Sequence, residues 1–190
     1  DKVKIVQGDI FKEDFSKATV VTMYLLPELN LCVRHRLLAM KPGTRVASHS
    51  FTMGEWDADE PFEVEYRNAY LWIVPARVGG SWNFRNGNGS VEFTASLTQS
   101  FQKIGGEVAV GGRKQPLVGA SLQGDAIRFA FADAKGVTQH FTGTVRGATI
   151  TGSLRASGVA DTEVVGNAQG ALAPAPWAEM ANGCGRFYGK

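Results

Sequence analysis

The chain has 190 residues, 44% of them hydrophobic, 10% aromatic and 20% charged, a globular composition that excludes a disordered or fibrous protein. Its 20 basic and 18 acidic residues leave a net charge of +2 without any basic tract, so charge indicates no nucleic-acid partner. No apolar run approaches the ~18 residues of a membrane span, and Cys32 and Cys184, far apart in sequence, form neither a metal motif nor a disulfide framework and leave the redox compartment open.

Composition changes along the chain. Residues 1–75 hold 3 glycines and the remainder holds the other 20 of 23, while net charge shifts from −2 (9 basic, 11 acidic) to +4 (11 basic, 7 acidic). Two architectures are therefore expected, α/β followed by all-β. The run at 3–7 (VKIVQ) predicts a short strand ended by Gly8-Asp9. The run at 18–26 (ATVVTMYLL) is β-branched and apolar on both faces, as a buried parallel strand should be. Pro27-Glu28 opens a helix over 28–40, because Pro needs no amide partner in the first turn and Glu suits the positive helix end. Leu29, Val33, Leu37 and Met40 form its apolar face, and Pro42-Gly43 stops it. A further strand at 44–51 (TRVASHSF) completes a βαβ unit, which implies parallel pairing.

Beyond residue 76 the hydrophobic period becomes two. Val91, Phe93, Ala95 and Leu97 alternate with polar neighbours, as do Ile127, Phe129 and Phe131, then Val137, Phe141 and Val145. Glycine turns separate these runs every 8–12 residues or so, which predicts an antiparallel meander forming a small barrel or sandwich over 76–157. Residues 158–190, rich in Gly, Ala and Pro, are expected to be a linker or loosely packed tail.

Ligands of open parallel sheets bind at the C-terminal ends of strands. Asp9, just after the first strand, can accept from an exocyclic amine, and Ile10 and Phe11 can pack on a flat ring; the same Asp can also form an Asx turn or cap a helix. Thr22 and Tyr24 end the second strand. His49 ends the third, where it can take a proton from a hydroxyl or amine or simply bond to backbone. His35 and His140 read as solvated positions, and the acidic run at 55–60 as a solvated turn without EF-hand spacing. Trp72, Trp82 and Trp177 read as core or rim aromatics.

The order QGDIF, ATVVTMYLLPELN, MKPGTRVASHSF resembles the C-terminal half of a bacterial class I S-adenosylmethionine-dependent methyltransferase, and 70–82 (YLWIVPARVGGSW) resembles the same group, which carries a β-rich C-terminal extension. The resemblance implies a partial Rossmann-like methyltransferase sheet over 1–75 and S-adenosylmethionine as cofactor. It also implies cofactor contacts from Asp9 (to the adenine amine), Ile10, Phe11 and Thr22, and a methyl-transfer centre near Tyr24 and His49. The methyl acceptor stays unknown, since Thr22-Met23-Tyr24-Leu25 departs from the Asp/Asn-Pro-Pro-Tyr motif that orients an attacking amine. Such enzymes begin with a glycine-rich G-x-G-x-G loop and a ribose-binding acid, and neither occurs here. The expectation is a part of a longer protein, inactive and weak in cofactor binding by itself. It would be soluble in the bacterial cytoplasm or periplasm, and as an incomplete sheet could form a homodimer through its exposed edge. Two other readings stand beside it. The fold can be non-catalytic, with the β-domain binding a ligand or protein partner, or the β-domain can be a carrier whose Ile127, Phe129, Phe131 and Phe141 line an apolar cavity.

Overall fold

The computed structural model describes residues 2–173 together with Trp177, Cys184 and Gly185. The chain divides into two compact units, Asp1–Val74 with Trp177–Lys190, and Pro75–Pro176.

In the first unit, β1 (Val20–Met23), α1 (Pro27–Leu38) and β2 (Arg45–His49) form the expected βαβ arrangement, with β1 and β2 parallel and Val20 opposite Arg45. Pro27 occupies the first turn of α1, Glu28 lies beside it, and His35 and Arg36 lie in the last turn, all favourable to the helix dipole. An antiparallel hairpin, β3 (Glu60–Val64) and β4 (Arg67–Ile73), completes a four-stranded sheet of order β1-β2-β4-β3. The run at 70–82 thus contains the end of an antiparallel strand that pattern alone does not distinguish from a parallel one. Trp72, fully buried in β4, donates from Nε1 to the Trp56 carbonyl at 2.8 Å.

Two expectations fail in this unit. Residues 3–7 form no strand, and Ile5 is 93% exposed. A strand is stable only when a neighbour takes up its backbone hydrogen bonds, and β1 pairs with β2 alone among the described residues. The two cysteines are also not independent. Cys32 on α1 and Cys184 are joined in a disulfide with Cα atoms 5.6 Å apart, and both are buried. A single pair separated by 152 residues leaves no spacing pattern from which a bond could be read.

The second unit is all antiparallel. Its strands are β5 (Gly80–Asn86), β6 (Val91–Ser100), β7 (Lys103–Val110), β8 (Arg113–Pro116), β9 (Val118–Gln123), β10 (Ala126–Ala132), β11 (Thr138–Arg146), β12 (Thr149–Arg155) and β13 (Thr162–Ala168). They form one sheet of order β8-β7-β6-β5-β13-β12-β11-β10-β9. β9 at one end of the sheet lies against β7, and β8 at the other end lies against β10, so the two ends approach and the sheet is nearly a closed barrel.

Its interior is packed with aromatic rings. Phe84 stacks on Phe93 with centroids 4.3 Å apart, and Phe129 lies 4.8 Å from Phe141. Ile127, Phe129, Phe131 and Phe141 are therefore a filled core, and the expectation that together they line a cavity is corrected. The loose tail is corrected as well. Residues 162–168 are β13, hydrogen-bonded on both sides to β5 and β12. Alternation was invisible there because an inward position is Gly166, where a Cβ would lie 2.5 Å from the Phe84 ring. The rest of that segment lies largely outside the described residues.

Gly166→Ala is therefore expected to push Phe84 off its stack and to destabilise the second unit by about 1–3 kcal/mol, read as a lower denaturant midpoint. An unchanged midpoint would show that the ring is not seated on this glycine. In the first unit, half-buried Asp59 accepts the Ile73 N–H at 2.7 Å. Desolvation raises its pKa above the ordinary value and the Ile73 hydrogen bond only partly offsets this. The folded state then binds the proton more tightly than the unfolded one, so this group lowers stability as pH rises through its folded pKa. Asp59→Asn, which keeps an oxygen for Ile73, should raise the melting temperature at neutral pH. The gain should vanish in acid below the ordinary aspartate range, and a gain independent of pH would remove the charge as its cause.

Candidate active-site edge

The parallel pair β1–β2 sets Met23 opposite Ser48, so the next residues on each strand, Tyr24 and His49, leave the sheet side by side. Their rings meet edge-on with centroids 4.7 Å apart, and Phe51 lies parallel to Tyr24 at 6.4 Å. Tyr24 is 71% exposed. It belongs to a face of β1 and its extension on which Val20, Thr22 and Leu26 are also exposed, the period-two consequence of an uncovered strand. Thr22 stands one step along that face, paired in register with Ala47.

Beyond β2 the backbone turns sharply. Ser50 has φ +66°, a left-handed conformation uncommon for a residue with a Cβ. It is held there by its N–H donating to the Asn68 carbonyl at 2.7 Å, and its Oγ lies 3.0 Å from His49 Nδ1. The imidazole is thereby oriented by its own neighbour.

Two buried polar side chains of α1 hold the turn that follows. Asn30 Nδ2 donates to Ser48 Oγ at 3.2 Å and to the Phe51 and Thr52 carbonyls at 3.3 Å each. Arg34, one helical turn on, donates to the Met53 carbonyl at 2.6 Å and pairs with Glu55 at 3.2 Å. Gly54 fits beneath it because a Cβ there would meet Leu31 and Arg34 Nη1 at 2.9 and 3.0 Å. Sequence periodicity put an apolar stripe on α1 and left Asn30 and Arg34 unassigned. Their i, i+4 spacing on the buried face was the available signal. His35 is not on a fully solvated face either, and burial holds its imidazole pKa below the usual range.

The Asp9 group lies elsewhere. Asp9 Oδ1 accepts the Phe11 N–H at 2.9 Å in an Asx turn, and Oδ2 is 3.8 Å from Lys12 Nζ. Arg36, in the last turn of α1, donates to the Ile10 and Glu13 carbonyls at 2.6 Å. Tyr24, by contrast, precedes the first turn of α1, so the two groups stand at opposite ends of a helix about 18 Å long. The structure brings Tyr24, His49 and Thr22 to one edge and sets Asp9, Ile10 and Phe11 apart from them. The acidic run is likewise dispersed, since Glu55 pairs with Arg34, Asp59 accepts from Ile73 and Glu60 begins β3. No helix among the described residues is long and apolar enough to cross a membrane.

Residues 1–60 match the family described as the ANTKMT methyltransferase domain. A protein-lysine N-methyltransferase of Saccharolobus islandicus (strain REY15A) is 41% identical over 78 residues, covering 38% of this chain and 48% of that protein. An RNA methyltransferase from Salinibacter ruber, crystallised with S-adenosyl-L-homocysteine, is 44% identical over 38% of this chain and 48% of that one, with a TM-score of 0.37. The chain thus spans about half the length of these relatives. The likeness supports a methyltransferase family, and its family match coincides with the segment that carries β1, α1 and β2.

Asn30→Ala is expected to remove three hydrogen bonds and to destabilise the first unit by about 1–3 kcal/mol. The 50–55 turn should also gain amide exchange, and a stable variant with unaltered protection there would show that Asn30 does not hold it.

Proposed function

We propose that residues 1–74 are part of a methyltransferase that takes its methyl group from S-adenosylmethionine. The match of residues 1–60 to a methyltransferase domain carries this reading. The paired strand ends inside that segment support it, because Tyr24 and His49 stand where open parallel sheets bind ligands. In this reading the sheet is Rossmann-like and Tyr24 and Phe51 flank the acceptor. His49, oriented by Ser50, receives a proton from the attacking group.

The described residues fit the cofactor only in part. Asp9 offers an exposed carboxylate with Ile10 and Phe11 beside it, which suits an adenine edge once the Asx turn yields. Among the described residues of the first unit no G-x-G-x-G loop occurs to grip the rest. We assign those contacts to polypeptide outside this sequence, and the open edge of β1 is where such strands would pair. What the chain supplies is alignment of the acceptor, which is the main requirement of methyl transfer. The first acceptor to offer is a lysine amine, the group on which the Saccharolobus islandicus protein acts by its name.

Calorimetric titration with S-adenosylhomocysteine tests the reading. The 190-residue chain should bind very weakly. In the complete protein Asp9→Ala should weaken binding by about 1–3 kcal/mol and Asp9→Asn by less. His49→Ala should leave that binding intact and slow transfer to a lysine peptide. Tight binding by the 190-residue chain would overturn the missing-contact argument, and unchanged binding by Asp9→Ala would return Asp9 to its turn.

A further inference from the structure

The ring-filled interior of the second unit stops short of one barrel mouth, near the β10–β11 turn. A cavity of about 330 Å³ opens there over Phe93 and Phe131, at the lower end of the size range of small-molecule sites. Both rings are 2% exposed, their centroids are 5.0 Å apart, and Phe93 is backed by its stack on Phe84. A floor so supported cannot settle to close the space. Leu154 and Ala156 form part of the wall, and the turn at 156–160 places Val159, 65% exposed, beside the opening.

The rim is polar and unequal in charge. Asp133 accepts the N–H groups of Lys135 at 2.8 Å and Val137 at 2.9 Å, and Gln139 Nε2 at 3.1 Å. These bonds hold its carboxyl below the usual range, so it is a fixed anion. Glu92 accepts from the Asn86 amide through Oε1, and no hydrogen bond to its Oε2 is formed among the described residues. Among the described residues Lys135 is the one cation lining the cavity, beside the two carboxylates of Glu92 and Asp133.

We propose that this mouth binds a small amphipathic amine, its apolar body against Val110, Val159 and Ala160 above the Phe93–Phe131 floor and its ammonium at Glu92 and Asp133. An anionic amphiphile would meet two carboxylates where its head must lie, and the floor offers a neutral polar ligand no partner. The lining residues all follow residue 60, so the site is independent of the segment that matches the methyltransferase family.

Titrating the 190-residue chain with phenethylamine, and separately with 3-phenylpropionate, tests this by calorimetry and by NMR shifts of Phe93 and Phe131. The amine should bind and the carboxylate should bind at least about tenfold more weakly. Glu92→Gln, which keeps an oxygen for Asn86, should weaken the amine about tenfold, and Lys135→Gln should tighten it. Ala160→Trp, at an exposed wall position, should block binding while the melting temperature stays unchanged. No amine binding at about 1 mM, equal or tighter binding of the carboxylate, or indifference to Ala160→Trp would each overturn the proposal.

Discussion

The candidate site depends on one buried contact, the hold that Asn30 and Arg34 keep on the turn after β2. Asn30 and Arg34 fix the carbonyls of Phe51, Thr52 and Met53, just beyond the left-handed Ser50 that Asn68 holds, and so set Phe51 parallel to Tyr24. Burying a guanidinium is costly unless its hydrogen bonds are met inside. Arg34 meets that requirement by donating to the Met53 carbonyl and to the Glu55 carboxylate. The helix and the turn thus satisfy each other, and the strand ends that carry Tyr24 and His49 inherit their rigidity.

How far this could be read beforehand varies with the physical origin of each element. The βαβ unit was legible because a doubly apolar run, a Pro-Glu helix start and a Pro-Gly stop act locally. The meander was legible because inward Phe and Ile residues alternate on β6, β10 and β11. The segment 3–7 has the same local character, yet strand formation is a property of pairs and it has no partner among the described residues. β13 failed for the opposite reason. Its inward glycine is explained by Phe84, 82 residues earlier, and no local pattern contains that information. Tyr24 and His49 could be nominated from their places at strand ends. Asn30 and Arg34 could not, because polar residues on a helix are ordinarily solvated, and only the tertiary contact shows what they hold.

The barrel separates two uses of the same apolar residues. Phe84, Phe93, Phe129 and Phe141 pack ring against ring and are buried in one cluster, so the body of the unit is a filled core. At the mouth above Phe93 and Phe131, open volume lies beside apolar residues such as Val159 and beside titratable groups. A carrier role for the whole interior and a site at its end are therefore different claims, and the packing favours the second.

Among the described residues of the first unit no glycine-rich loop occurs, and this bears on the proposed methyl transfer. A methyl donor is gripped chiefly through its ribose and methionyl groups, and that grip sets where the methyl lies relative to any acceptor. In the proposed reading, Tyr24, Phe51 and His49 orient the acceptor and do not fix the donor. In the proposed reading, residues 1–74 contribute pre-orientation of the acceptor edge together with the Asp9 contact to the adenine. The strained Ser50 and the buried Asn30–Arg34 contacts are consistent with an edge built to hold its geometry before the donor arrives.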